Sequence, residues 1–208
     1  SEVARDSASG VAVVRAPGMA AGMAAFAARS SSGPVVTAWV VAKLFRSAMV
    51  SRTLGQLLAA PEAPDIVAAL CGALRSGDAR AIEYAAQALD WSTRAVGATT
   101  HALLCGAPGV HAALATALAS APSAREPVMS LLCVLVNPLR AAAEPGGPPE
   151  AALASPLVSA APPAEAERIA VAVARVAVAS AGAVGGTDIN QRKQARQSML
   201  QSLYVLAC

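Results

Sequence analysis

Aromatic residues are nearly missing from this chain: two Trp, two Tyr and two Phe make up 3% of its 208 residues. Sheets of this size lean on aromatic and β-branched side chains in alternating runs bounded by hairpin turns, and such runs do not occur here. Charge is also sparse, at 14% with a net value of +3, which neither demands nor excludes a nucleic-acid partner. Cys71, Cys105, Cys133 and Cys208 stand singly among apolar neighbours without a C-x-x-C pair. They read as thiols in an intracellular, reducing compartment, cytoplasmic or cytoskeletal with an organelle as the alternative, and not as a disulfide framework.

Catalytic signatures are missing too. The chain has no G-x-S-x-G elbow, phosphate-cradling G-x-x-x-x-G-K-[ST] loop, H-E-x-x-H helix or Gly-rich dinucleotide turn. His101 and His111, with Cys105 one helical turn after the first, lack a fourth ligand and the tight spacing of a zinc knuckle. Glu62, Asp65, Asp78, Glu126 and Asp188 fall near expected helix starts, where they complement the helix dipole without implying a reaction. The expectation is a protein that is not an enzyme and uses no cofactor or metal. Dense Leu/Ile/Phe runs are also lacking: "IAVAVARVAVASAGAVGG" reaches a span-like length, but it is mostly small residues and carries Arg175, so no membrane insertion is expected. "GMAAG" (Gly18 to Gly22) suits close approach of two helices.

What the chain does have is alanine, about a quarter of its residues, which favours close-packed helices. An all-α fold follows, with "VAVARVAVA" (Val171 to Ala179) the one run ambiguous between helix and strand. A unit recurs: "APGMAAGMAAFAARS" from Ala16, "APDIVAALCGALRS" from Ala63 and "APGVHAALATALAS" from Ala107, with Pro17, Pro64 and Pro108 spaced by 47 and 44 residues. Each proline is expected in the first turn of an apolar helix, where a missing N–H costs nothing. Each helix ends at a serine (Ser30, Ser76, Ser120) and a short polar turn, after which a second apolar helix begins.

Asp78 reads as an N-cap, and Ser123 with Glu126 spells a capping box whose helix Pro127 pushes one or two residues later. A stretched fourth copy runs from Pro162 to Ser180 and from Asp188 to Ala207. It is separated from the third by a proline-rich surface excursion. The chain opens on Ser1 and closes on Cys208 in an apolar run, as expected of a segment of a longer polypeptide. Tyr204, Val205 and Leu206 are then expected to face a following repeat, and the segment alone to aggregate.

This period falls in the range of armadillo and HEAT repeats. "GDARAIEYAAQALDWSTRA" resembles the loop and third helix of an armadillo repeat, "APDIVAALCGALRS" its second helix, and "RSAMVSRTLGQLLAA" and "DWSTRAVGATTHALLCG" supply linkers with short first helices. The resemblance implies a single right-handed α-solenoid over residues 1–208. Its repeats cover about 11–47, 48–92, 93–138 and 164–208, with the proline-rich insert at 140–163.

The same resemblance implies that third helices line a concave groove. In the import-receptor branch of that family, Trp-x-x-x-Asn pairs there hold an extended peptide. Here Trp39 matches the Trp and Lys43 stands in the Asn place. The other copies read Gln87 with Trp91, Ser130 with Val134, and Gln201 with Val205, so import-receptor function is not expected. The expected role is a protein-protein interaction scaffold in a larger assembly, its contact ridge Trp39, Lys43, Arg46, Gln87, Trp91 and Arg94. Two alternatives stand beside it: RNA or DNA binding through arginine-rich helix ends, and an armadillo-type chaperone cofactor. Arg192, Lys193 and Arg196 form the one basic cluster, either a solvated face or a contact with phosphate or an acidic protein.

Overall fold

Proline-glycine turns and single aspartate caps punctuate the alanine-rich runs, and they set where four of the helices described below begin. A computed structural model describes residues 12, 16–29, 32–50, 54–95, 97–120, 126–142, 156–185 and 188–207. Among these residues every regular element is helical. They are α1 (Met19–Arg29), α2 (Gly33–Val50), α3 (Leu54–Leu58), α4 (Ala63–Arg75), α5 (Ala79–Ala95), α6 (Gly97–Gly106), α7 (Val110–Ser120), α8 (Glu126–Ala142), α9 (Pro156–Ser159), α10 (Pro163–Ala183) and α11 (Ile189–Ala207). The ambiguous run from Val171 lies inside α10. No single helix among the described residues is long and apolar enough to cross a membrane, although α6 from Thr99 and α7 form a bent pair of sufficient length and composition.

The repeated prolines do not all play the expected part. Met19 N–H donates to Ala16 O at 3.0 Å and Val110 N–H to Ala107 O at 3.3 Å, while Gly18 and Gly109 sit at φ of 75° and 68°. Proline second and a positive-φ glycine third is the pattern of a type II turn. Pro17 and Pro108 therefore stand just outside α1 and α7, and only Pro64, followed by Asp65 in place of glycine, enters the first turn of its helix. Pro127 also lies in a first turn, so α8 starts at Glu126, earlier than the sequence suggested, because a first-turn proline has no helical bond to lose. Ser123 of the expected capping box lies outside the described residues.

Asp78 caps α5 as expected, its Oδ1 accepting from Arg80 N–H and Ala81 N–H at 2.9 Å each. Asp188 does the same for α11, accepting from Asn190 N–H at 2.7 Å and Gln191 N–H at 3.2 Å. Between α4 and α5 the chain reverses through Gly77 at φ 74°, a conformation that glycine adopts without steric cost.

The helices pack in two rows. In one, α1 lies on α4, α4 on α7 and α7 on α10; in the other, α2 lies on α5, α5 on α8 and α8 on α11. Leu70, Leu74, Leu89, Leu114, Leu118, Leu131, Leu132 and Leu135 are fully buried between them. The intervening small residues Ala73, Ala81, Ala85, Ala88, Ala113 and Ala117 let the helices approach closely. Two polar contacts among the described residues join successive members of the first row. Arg75 Nη1 donates to Gly109 O at 3.2 Å, linking the end of α4 to the turn before α7, and His111 Nδ1 lies 3.6 Å from Glu165 Oε2 between α7 and α10.

The expected proline-rich insert, 140–163, overlaps helices at both ends. α8 runs on to Ala142, α10 opens at Pro163, and residues 143–155 lie outside the described ones. Its last part is no free excursion: α9 packs on α6 and α8, and Leu157 is fully buried in the common core. Val205, expected to await a further repeat, is buried as well, whereas Leu206 is exposed and the side chain of Tyr204 lies outside the described residues.

Candidate functional site

Three successive helices of the second row, α5, α8 and α11, open a groove of about 440 Å³ lined by Gln87, Asp90, Trp91, Arg94, Met129, Ser130, Cys133, Gln194 and Gln197. On α5 the lining residues are spaced by three and four, the interval that keeps side chains on one helix face. The other face of α5, with Ala85, Ala88 and Leu89, is fully buried. Gln87, Trp91 and Arg94 of the expected ridge thus share one groove.

The rest of the ridge is elsewhere. Trp39 and Lys43 form their own pair on α2, with Lys43 Nζ 5.9 Å from the Trp39 ring centroid, a cation-π contact that is not part of the groove lining. The side chain of Arg46 lies outside the described residues.

Arg94, expected on the contact ridge, is paired within its own helix. Its Nε and Nη2 donate to Asp90 Oδ1 and Oδ2, both at 2.7 Å, a bidentate pair in which the carboxylate is nearly buried and the guanidinium mostly exposed. The bonds from Asp90 hold the Arg94 pKa above its usual value. Arg94 Nη2 also reaches Cys133 Sγ at 3.6 Å, and Gln201 Nε2 donates to the same sulfur at 3.4 Å. Burial, with the Asp90 charge, nevertheless pushes the Cys133 thiol up, so at neutral pH it is a protonated packing group and not a nucleophile.

The groove is therefore electrically near neutral and rich in amides. Gln87 Nε2 reaches Glu83 Oε1 at only 3.5 Å, and Gln194 and Gln197 point from the opposite wall. Each amide offers both a donor and an acceptor, the combination needed to pair with an extended backbone. Trp91, half-buried against the core, adds an apolar wall. Sequence alignment of the third helices missed Asp90, Met129, Cys133, Gln194 and Gln197. It had placed Val134 and Val205 at matching sites, yet both are buried. On α8, Ser130 lines the groove as its alignment with Gln87 implies, together with Met129 and Cys133, while Val134 is buried in the core.

The basic cluster is a separate surface. Arg192, Lys193 and Arg196 surround a shallow depression with Ile189 at the start of α11, and none of the three makes an ion pair with a described residue. Among the described residues, no three His, Cys, Asp or Glu side chains converge as metal ligands would. No protein-family model matches the chain, and neither curated proteins nor solved structures provide a match.

Proposed function

We propose that this chain is a non-catalytic protein-protein interaction scaffold, a right-handed α-solenoid of armadillo-like repeats that works within a larger assembly. One observation carries the reading: equivalent helices follow one another in both rows, α1, α4, α7, α10 and α2, α5, α8, α11, and the second row opens a groove across three of its members. The short helices α3, α6 and α9 each precede a pair of longer ones, the three-helix rhythm of such repeats. The groove holds an extended segment of a partner through Gln87, Gln194 and Gln197, with Trp91 as the apolar wall.

The test is affinity capture with cross-linking from native extract, comparing the parent chain with Gln87→Ala/Gln194→Ala/Gln197→Ala. Losing three amide contacts should cut specific capture by about tenfold or more, with melting unchanged. Undiminished capture by this variant would move the contact surface away from the groove. Charge reversal at Arg94 is unsuited to the purpose, because it would set a second carboxylate against nearly buried Asp90.

A further inference from the structure

α11 presents three different faces. Ala195, Ser198, Ser202 and Val205 are buried, Gln194 and Gln197 line the groove, and the remaining side is largely exposed. That open side reads, in order, Ile189, Arg192, Lys193, Arg196, Leu200, Leu203 and Leu206, at the three- and four-residue intervals that align side chains along a helix. Its aliphatic members are 71% (Ile189), 63% (Leu200), 50% (Leu203) and 42% (Leu206) exposed. The stripe is thus apolar at one end, basic in the middle and apolar again over the last two turns.

From this juxtaposition we infer that the open face of α11 docks an acidic amphipathic helix of another protein, its carboxylates set against Arg192, Lys193 and Arg196 and its aliphatic side chains against Leu200 and Leu203. Two properties select that occupant. Three cations without an ion-pair partner among the described residues attract negative charge, and the flanking leucines must leave water for the contact to be stable. A helix laid in a groove or along a ridge meets both needs with anchors at the same three- and four-residue spacing.

Charge argues against the two nearest alternatives. A second copy stacked end to end would bring α11 against α1 and α2, which contain no acidic residue and carry Arg29 and Lys43, so cation would face cation. A nucleic acid would satisfy the three cations but leave the leucines without a role. Single-strand sites interleave cations with stacking aromatics, and the described side chains of this face include none.

The inference goes beyond the groove proposed above, since it uses the other side of α11. Its test is fluorescence anisotropy with a synthetic amphipathic helix of about five turns, bearing central glutamates and leucines on one face. The same helix with lysines replacing the glutamates, and a short single-stranded RNA, serve as comparison probes. The acidic helix should bind, and binding should weaken as salt rises from about 50 mM to about 500 mM.

Arg192→Glu/Lys193→Glu/Arg196→Glu should reduce its affinity by about tenfold or more, and Leu200→Ser/Leu203→Ser by about fivefold or more, with little change in melting because none of the five side chains is buried in the core. Gln194→Ala/Gln197→Ala should leave it unaltered, which separates this surface from the groove. Failure of the acidic helix to bind, equal binding of the lysine probe, or tighter binding of RNA overturns the inference. Concentration-dependent self-association abolished by the same two variants would overturn it too, assigning the face to a second copy.

Discussion

The middle of the stack and its last helix use the same side chains and treat them oppositely. Leu89 of α5 has α2 on one side and α8 on the other and is fully buried; Leu203 of α11, a helix with a row neighbour on one side only among the described residues, stays half exposed. Both leucines lie in continuous helices built from similar residues, so burial here is conferred by the neighbouring unit and not by the helix's own pattern. In such an array each interface adds a separate increment, and the end units hold fewest of them. The largest expected effect follows directly. Leu89→Ala should cost about 2–5 kcal/mol through the cavity it leaves, whereas Leu203→Ala should cost well under about 1 kcal/mol. Chemical denaturation of both variants checks this, and equal losses would show that the end of the array is packed as tightly as its middle.

The same contrast explains what could be read in advance. Helical class, the caps Asp78 and Asp188, and the grouping of Gln87, Trp91 and Arg94 follow from spacing along a single helix, which sequence displays directly. Contacts between helices do not. Of the α8 pair aligned with Gln87 and Trp91, Ser130 lines the groove while Val134 is buried, because one residue turns a helix by more than a quarter turn and each helix meets its neighbours at its own rotation. The Asp90-Arg94 pair was visible as an i, i+4 spacing in "DWSTR", but only the depth of Asp90 in the fold turns a surface arginine into a committed partner. Pro17 and Pro108 differ from Pro64 by the following glycine alone, and that glycine moves the proline out of the helix.

Two cysteines place a pH-sensitive probe in this comparison. Cys71, in the middle of the stack on α4, is fully buried, and burial pushes its thiol up to about 11, partly offset by the Arg75 charge; Cys105 on α6 is exposed. An unfolded thiol ionises near 8.5, so the folded state's preference for the protonated form contributes in full below about pH 8. It is lost as pH climbs from there towards the folded value, at a slope of at most about 1.4 kcal/mol per pH unit. Cys71→Ala should therefore flatten the alkaline decline in stability relative to the parent chain. Iodoacetamide near neutral pH should modify Cys105 in the native protein and reach Cys71 only on unfolding. Rapid native alkylation of Cys71 would mean that the middle of the stack opens locally.

The smallest effect compares two identical caps. Asp78 and Asp188 each accept two backbone N–H bonds at the start of a row helix, but α5 is held between α2 and α8 whereas α11 is packed from one side of its row. Removing either cap leaves two donors to water and weakens the helix dipole's compensation, typically about 1 kcal/mol. In the middle, the first turn of α5 cannot fray without disturbing Ala81 and Ile82, both buried, so Asp78→Ala should lower global stability by that amount. At the end, Asn190 and Gln191 are exposed and can leave the helix alone. Asp188→Ala should thus appear as faster amide exchange over residues 190–192 with almost no change in melting temperature. Asparagine at either position should restore most of the loss, since a neutral amide oxygen still accepts the bonds. If Asp188→Ala instead lowers melting as far as Asp78→Ala, α11 unfolds together with the middle, and its open face belongs to the same cooperative unit as the core.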